Sequence, residues 1–206
     1  PFLPSQVYRA DITGLGLVSA GANSLSVEGM DFTYQNDGAG VIVIFAEAMN
    51  GFSIIDIRDG HDFGAVNQGI TPPMDETVAQ TYTFPASDAD RVAPLTVFVA
   101  DGEDFRPDGV IIQVGANPPV QINDVVNTVD GLFWDTLGFD IPIPAGETMV
   151  TIQIISRDDP SEVLPDSIVW IASVLVVPQP GECRVTGGGV DEFGNWDNTM
   201  ARGHQN

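Results

Sequence analysis

The apolar residues of this chain come in short runs, and the length and period of those runs restrict it to β architecture. Each run is rich in Val, Ile, Phe, Tyr and Thr, and most end at Gly, Pro, Asn or Asp, as at Asn36-Asp37-Gly38. Alternation at period two marks strands, whereas an amphipathic helix would repeat near 3.6 residues. Strands are expected over 6–12, 15–20, 25–27, 31–35, 41–47, 52–57 and 80–84, then over 95–100, 110–114, 120–122, 138–141, 149–156 and 168–177. The runs 41–45 and 168–177 are continuously apolar, which suits strands near the middle of a sandwich. Only the polar stretch 74–79 is expected to hold a turn of helix. About twelve short strands at this spacing imply an all-β, two-sheet antiparallel β-sandwich of jelly-roll or Ig-like type. A barrel is the lesser alternative.

A boundary is expected at Val177-Pro178-Gln179-Pro180-Gly181, where two prolines and a glycine stop the last long run. Residues 1–178 are then the sandwich domain, and 179–206 a Pro/Gly linker with an extended C-terminal tail. So short a tail cannot bury a core of its own. It either packs on the sandwich, supplies an intersubunit strand to a neighbour, or opens a further domain. The first residue is Pro rather than Met, which reads as a secreted chain after removal of a leader. The longest apolar run, 168–177, is about half of what a membrane-spanning helix needs, so no membrane insertion is expected.

Charge then removes whole classes of function. The chain has 29 acids against seven arginines and no lysine, a formal net charge of −22. Nucleic-acid binding needs a basic footprint that is missing here. Without lysine there is no Schiff base, no phosphate-loop lysine and no isopeptide crosslink. One cysteine, Cys183, and two histidines, His61 and His204, leave no intrachain disulfide and no Cys/His zinc site. No His-Glu-x-x-His, Gly-x-Ser-x-Gly or phosphate-binding glycine loop occurs, so no enzyme is expected. Paired carboxylates of the glycosidase kind are the one catalytic chemistry the composition still permits.

The acids are unevenly placed. Asp59-Gly60-His61-Asp62-Phe63 is echoed by Asp101-Gly102-Glu103-Asp104-Phe105, each after an expected strand. Glycine permits the tight turn that lets neighbouring carboxylates and carbonyls converge. Such oxygen clusters suit Ca²⁺, which takes about 6–8 oxygen ligands in irregular geometry. The candidate metal ligands are Asp59, Asp62, Asp101, Glu103, Asp104, Asp108, Asp88 and Asp90; further loop acids are Asp124, Asp130, Asp158, Asp159 and Asp166. Two plainer readings stand beside this one. Asp-Gly is also an ordinary hairpin turn, and acidity without lysine is also what adaptation to concentrated salt produces.

The stretch Val129-Asp130-Gly131-Leu132-Phe133-Trp134-Asp135-Thr136-Leu137-Gly138-Phe139-Asp140-Ile141, with Asp166-Ser167-Ile168-Val169-Trp170-Ile171-Ala172 and the run 40–45, resembles secreted β-sandwich domains of bacterial and archaeal surface proteins. The acidic sandwich is also similar to subunits of extracellular calcium-dependent fibres, in which ions hold successive subunits together. That resemblance implies a secreted, extracellular location and a head-to-tail homopolymer. The run 184–191 looks like the opening strand of a further β-domain. Trp134 and Trp170 are expected as core anchors, and Trp196 as an intermolecular contact. The leading expectation is a calcium-binding structural or adhesive subunit of a filament. A carbohydrate-binding module with a glycan partner is the alternative, and would need a coplanar row of exposed aromatics on one sheet. A halophilic surface protein without specific metal sites is the other.

Overall fold

A computed structural model of the chain describes residues 5–31, 33, 35–46, 51–66, 74–103, 106–156, 165 and 167–179, with the backbone of 189–190 and 196–197. The β-sandwich is present, and among the described residues it is built from eight strands rather than about twelve. They are β1 (Ser53–Ala65), β2 (Gln80–Thr83), β3 (Arg91–Ala100), β4 (Gly109–Val114), β5 (Val120–Asn123), β6 (Trp134–Ile143), β7 (Met149–Ile155) and β8 (Ser167–Pro178). One four-stranded sheet has the order β1-β8-β3-β6 and the other β2-β7-β4-β5. Every pairing is antiparallel. Strand one pairs with eight, two with seven, three with six and four with five, the nested pattern of a jelly roll. A separate two-residue pair joins β9 (Gly189–Val190) to β10 (Trp196–Asp197).

Alternation builds the core. Leu95, Val97 and Val99 of β3, Leu137 and Ile141 of β6, and Trp170, Leu175 and Val177 of β8 line the inner face of the first sheet. Tyr82 on β2, Val110 and Ile112 on β4, and Val150, Ile152 and Ile154 on β7 meet them from the second. The Tyr82 hydroxyl is hydrogen-bonded to the buried Ser173 hydroxyl, one polar contact linking the two sheets. The apolar run 168–177 does form a central strand, flanked by β1 and β3. Trp170 is buried in that core. Trp134 instead sits half-exposed and packs on Phe98, with Gly38 and Gly40 lying against its ring. A Cβ added at Gly38 would lie 2.6 Å from the Trp134 ring, so only glycine permits this approach.

The expected strands before residue 47 do not form among the described residues. Residues 5–46 make a single 3₁₀ turn, Thr13–Leu15, and no sheet pairing, and the run 41–45 is exposed instead of central. Strand propensity expresses pairing and packing against a neighbour, and among the described residues no strand pairs with this segment. Gly16, Gly21 and Gly29, each with positive φ, divide it into pieces too short to form a sheet alone. The arm touches the edge strand β1 through Arg9 and Asp59, 3.0 Å apart, and through Ser5 and His61, 2.7 Å apart. At 74–79 the expected helical turn is extended chain, with Met74 bridged to Ala65 and Glu76 to Ile155. No helix among the described residues is long and apolar enough to cross a membrane.

Candidate functional site

The two Asp-Gly-x-Asp phrases prove inequivalent. The first does not leave the sheet: β1 continues through it to Ala65, with a shift of register between Asp59 and Asp62 that marks a bulge. Asp59 is ion-paired to Arg9, and Asp62 accepts a hydrogen bond from the Val78 backbone N–H. The second phrase does follow a strand end, for β3 stops at Ala100 and the chain crosses to β4 through residues 101–108. Asp62 and Val99 both pair with Trp170 of the intervening β8, so the phrases lie roughly 10 Å apart, two strand spacings. Among the described residues the carboxylates of the two phrases do not gather into a group of three or more acids.

Asp101 turns the chain out of β3 with φ 61°, a left-handed conformation that Asp tolerates better than most residues. Its Oδ2 accepts a hydrogen bond from the Ser167 hydroxyl at 2.8 Å. Burial holds its carboxyl above the usual carboxylate range, partly offset by that hydrogen bond, and the charges of Asp37 and Glu103 act in the same direction as burial. Glu103 is ion-paired with Arg106. Asp104 lies outside the described residues. Asp88 and Asp90 precede β3 at the opposite end of the sandwich, where Asp90 accepts the Ala145 N–H at 2.8 Å. They are therefore not brought together with Asp101.

Asp108 ends the crossing loop and is 4% exposed. It keeps the inward parity of Val110 and Ile112 on the strand that follows. Its Oδ1 accepts the Val125 and Val126 N–H groups at 2.9 and 3.1 Å. Burial pushes its carboxyl up to about 6, against the pull of those two donors and with help from the charges of Asp124 and Asp135.

Opposite stands a residue that did not figure among the sequence-derived ligands. Asp135 is 0% exposed and lies on β6 in the same alternating row as Leu137, Ile141 and Ile143. Its carboxylate therefore points into the sandwich from the first sheet, while Asp108 enters from the second. Asp135 Oδ1 accepts the Thr128 N–H at 2.6 Å. Asp135 Oδ2 and Thr128 Oγ1 are both buried and have no hydrogen-bond partner among the described residues. Oδ2 faces Gly102 of the crossing loop, 3.7 Å from where a Cβ would stand, and Val126 closes the space above Gly102. Period-two alternation run backward from Ile141 would have placed Asp135 inside. Gly138 interrupts the apolar run, so the local signal starts the strand at 138 and leaves Asp135 outside it.

No three His, Cys, Asp or Glu side chains among the described residues converge as a metal site would require of those types alone. Two carboxylates and a hydroxyl are what this end of the sandwich offers a hard cation.

No protein-family model matches the chain, and no curated protein matches it. Among solved structures, the infectious bursal disease virus Gt strain structure is similar over 69% of this chain, with 11% identity and a TM-score of 0.38. The exo-β-1,3-galactanase from Phanerochaete chrysosporium matches over 63%, with 12% identity and a TM-score of 0.32. The Tobacco streak virus coat protein matches over 69%, with 11% identity and a TM-score of 0.29. The chain spans 37% and 30% of the first two structures and 99% of the coat protein. At such TM-scores these likenesses carry no inference about function, and the jelly roll stands on its own strand pairing.

Proposed function

We propose that this chain is a calcium-binding structural or adhesive protein of the cell exterior, a subunit of a filament assembled head-to-tail. The observation that carries the proposal is the arm. Residues 41–45, Val-Ile-Val-Ile-Phe, have strand composition but no partner strand among the described residues, and Val43 and Phe45 are 46% and 75% exposed. Among the described residues the outermost strands of the two sheets are β1, β6, β2 and β5, with β1 bridged to Met74 only at its Ala65 end. An apolar extended segment and an open sheet edge complement one another by strand addition. When they belong to different copies, the contact is heterologous, and repetition gives an open filament. The C-terminal tail, for which an intersubunit strand is one of three sequence-based readings, lies almost wholly outside the described residues. Calcium fits the acidic excess, since bound divalent ions offset repulsion that seven arginines cannot.

The carbohydrate-binding alternative needs a flat aromatic platform. Trp170 is buried and Trp134 is taken up by Phe98 and the arm glycines, so the described tryptophans do not offer one.

Assembly is checked by negative-stain electron microscopy and sedimentation of the full chain in millimolar Ca²⁺. Val43→Lys should abolish filaments while leaving the monomer's far-ultraviolet circular dichroism intact, because Val43 contributes little to the monomer core. Filaments that persist in the variant would remove the arm from the contact. No filament from the unaltered chain, with or without Ca²⁺, would overturn the polymer reading.

A further inference from the structure

We propose that Asp135, Asp108 and Thr128 form a buried calcium site closing one end of the jelly roll. The inference deepens the calcium reading above and rests on it, but assigns the ion to a place where acid-rich loop phrases did not put it. Three observations converge. First, Asp135 occupies a core position in the row of Leu137, Ile141 and Ile143, where a carboxylate is costly unless something compensates its charge. Second, only one of its oxygens is satisfied, by the Thr128 N–H; the other is buried without a partner, and so is the hydroxyl of that same threonine. Third, Asp108 enters the same region from the facing sheet, and no arginine is hydrogen-bonded or ion-paired to either acid among the described residues.

A hard divalent cation answers all three at once. Carboxylate oxygens are its preferred donors, a neutral hydroxyl oxygen can fill a further position, and its charge offsets two buried anions. A proton shared between the acids would answer the charge but would leave the Thr128 hydroxyl without a partner. The site also ties β4 to β6, which belong to different sheets. Calcium bound there would crosslink the sandwich in a chain with a single cysteine. Asp59, Asp62, Asp88 and Asp90 take no part in it.

The probe is Ca²⁺ alone, titrated calorimetrically into chelator-treated full-length protein, with thermal melts in Ca²⁺ and in EGTA. Asp135→Asn keeps the size of the side chain and an acceptor for the Thr128 N–H. It is expected to weaken the tightest Ca²⁺ binding at least tenfold and to abolish the Ca²⁺-induced rise in melting temperature. In EGTA the same variant should melt higher than the unaltered protein, because an uncompensated buried charge has gone. This crossing of the two melting orders would not come from a residue that merely packs. Asp59→Asn, at the exposed bulge, should leave the tight binding unchanged. If Asp135→Asn binds Ca²⁺ as the unaltered protein does, the site is wrong while the calcium reading stands. If the unaltered protein binds no Ca²⁺ and its melting temperature ignores EGTA, both fall. Should the variant not fold, Thr128→Val is the second variant: weakened tight Ca²⁺ binding supports the site, and binding equal to that of the unaltered protein overturns it.

Discussion

Tyr82 shows how one side chain can hold a sandwich together. Its ring is fully buried, Arg58 lies over it at 5.3 Å from the ring centre, and its hydroxyl reaches Ser173 on the facing sheet. Burial raises its ionisation above the ordinary value, opposed by the Ser173 hydrogen bond. A phenol whose folded-state pKa lies above its unfolded value contributes stability that is fully present below about pH 10 and lost as pH rises further. Phenolate absorbance in an alkaline titration should therefore show a late step that coincides with unfolding, and Tyr82→Phe should remove that step. At neutral pH the same variant should cost about 1–3 kcal/mol in urea denaturation, since Ser173 would be left buried without its partner. A late step that survives in the variant would show that Tyr82 is not its source.

Among the elements, position in the sheet sets the energetic weight of a strand. β8 lies between β1 and β3, and its Leu175 is 0% exposed between the two sheets. β1 is an edge strand, half-exposed along most of its length, with Ile55 at 39%. Leu175→Ala should destabilise by about 2–5 kcal/mol, because it removes buried methyl groups and leaves a cavity that neighbours fill only in part. Ile55→Ala should cost under about 1 kcal/mol, the scale of a substitution on a solvent-facing position. Chemical denaturation of both variants checks the contrast, and equal losses would mean that β1 is covered by something in solution. The bulge between Asp59 and Asp62 belongs to the same edge, where extra twist discourages indiscriminate pairing.

Across the whole molecule, a net charge of −22 must be compensated for the chain to remain compact. Monovalent salt screens such repulsion generally, whereas bound calcium stabilises by occupying defined sites on the folded state. Millimolar Ca²⁺ should therefore raise the melting temperature beyond what NaCl achieves at matched ionic strength. Equal rises would favour adaptation to salt over specific ion binding. Strand addition by the arm predicts in turn that assembly depends on protein concentration, and that the melting temperature rises with it.

How much of this could be read from the chain follows from the range of the forces involved. Alternation and turn chemistry are local, so 80–84, 95–100, 110–114, 120–122 and 168–177 were placed as strands by their own residues, and all lie on or beside the strands observed. The same local signals misplaced 41–45, because whether an apolar strand is central or exposed depends on which other segments reach it. Locality also explains the two Asp-Gly phrases: identical turn chemistry cannot tell a bulge inside a strand from a strand end. By itself the sequence determined the all-β class, the acidity and the absence of lysine, with their chemical exclusions. Only the tertiary structure decided that Asp108 and Asp135, 27 positions apart in the chain, enter the core from different sheets and are both held by backbone N–H groups of the segment 125–128. Charge opposition inside a sandwich is set by how the sheets stack, and stacking is a property of the assembled core.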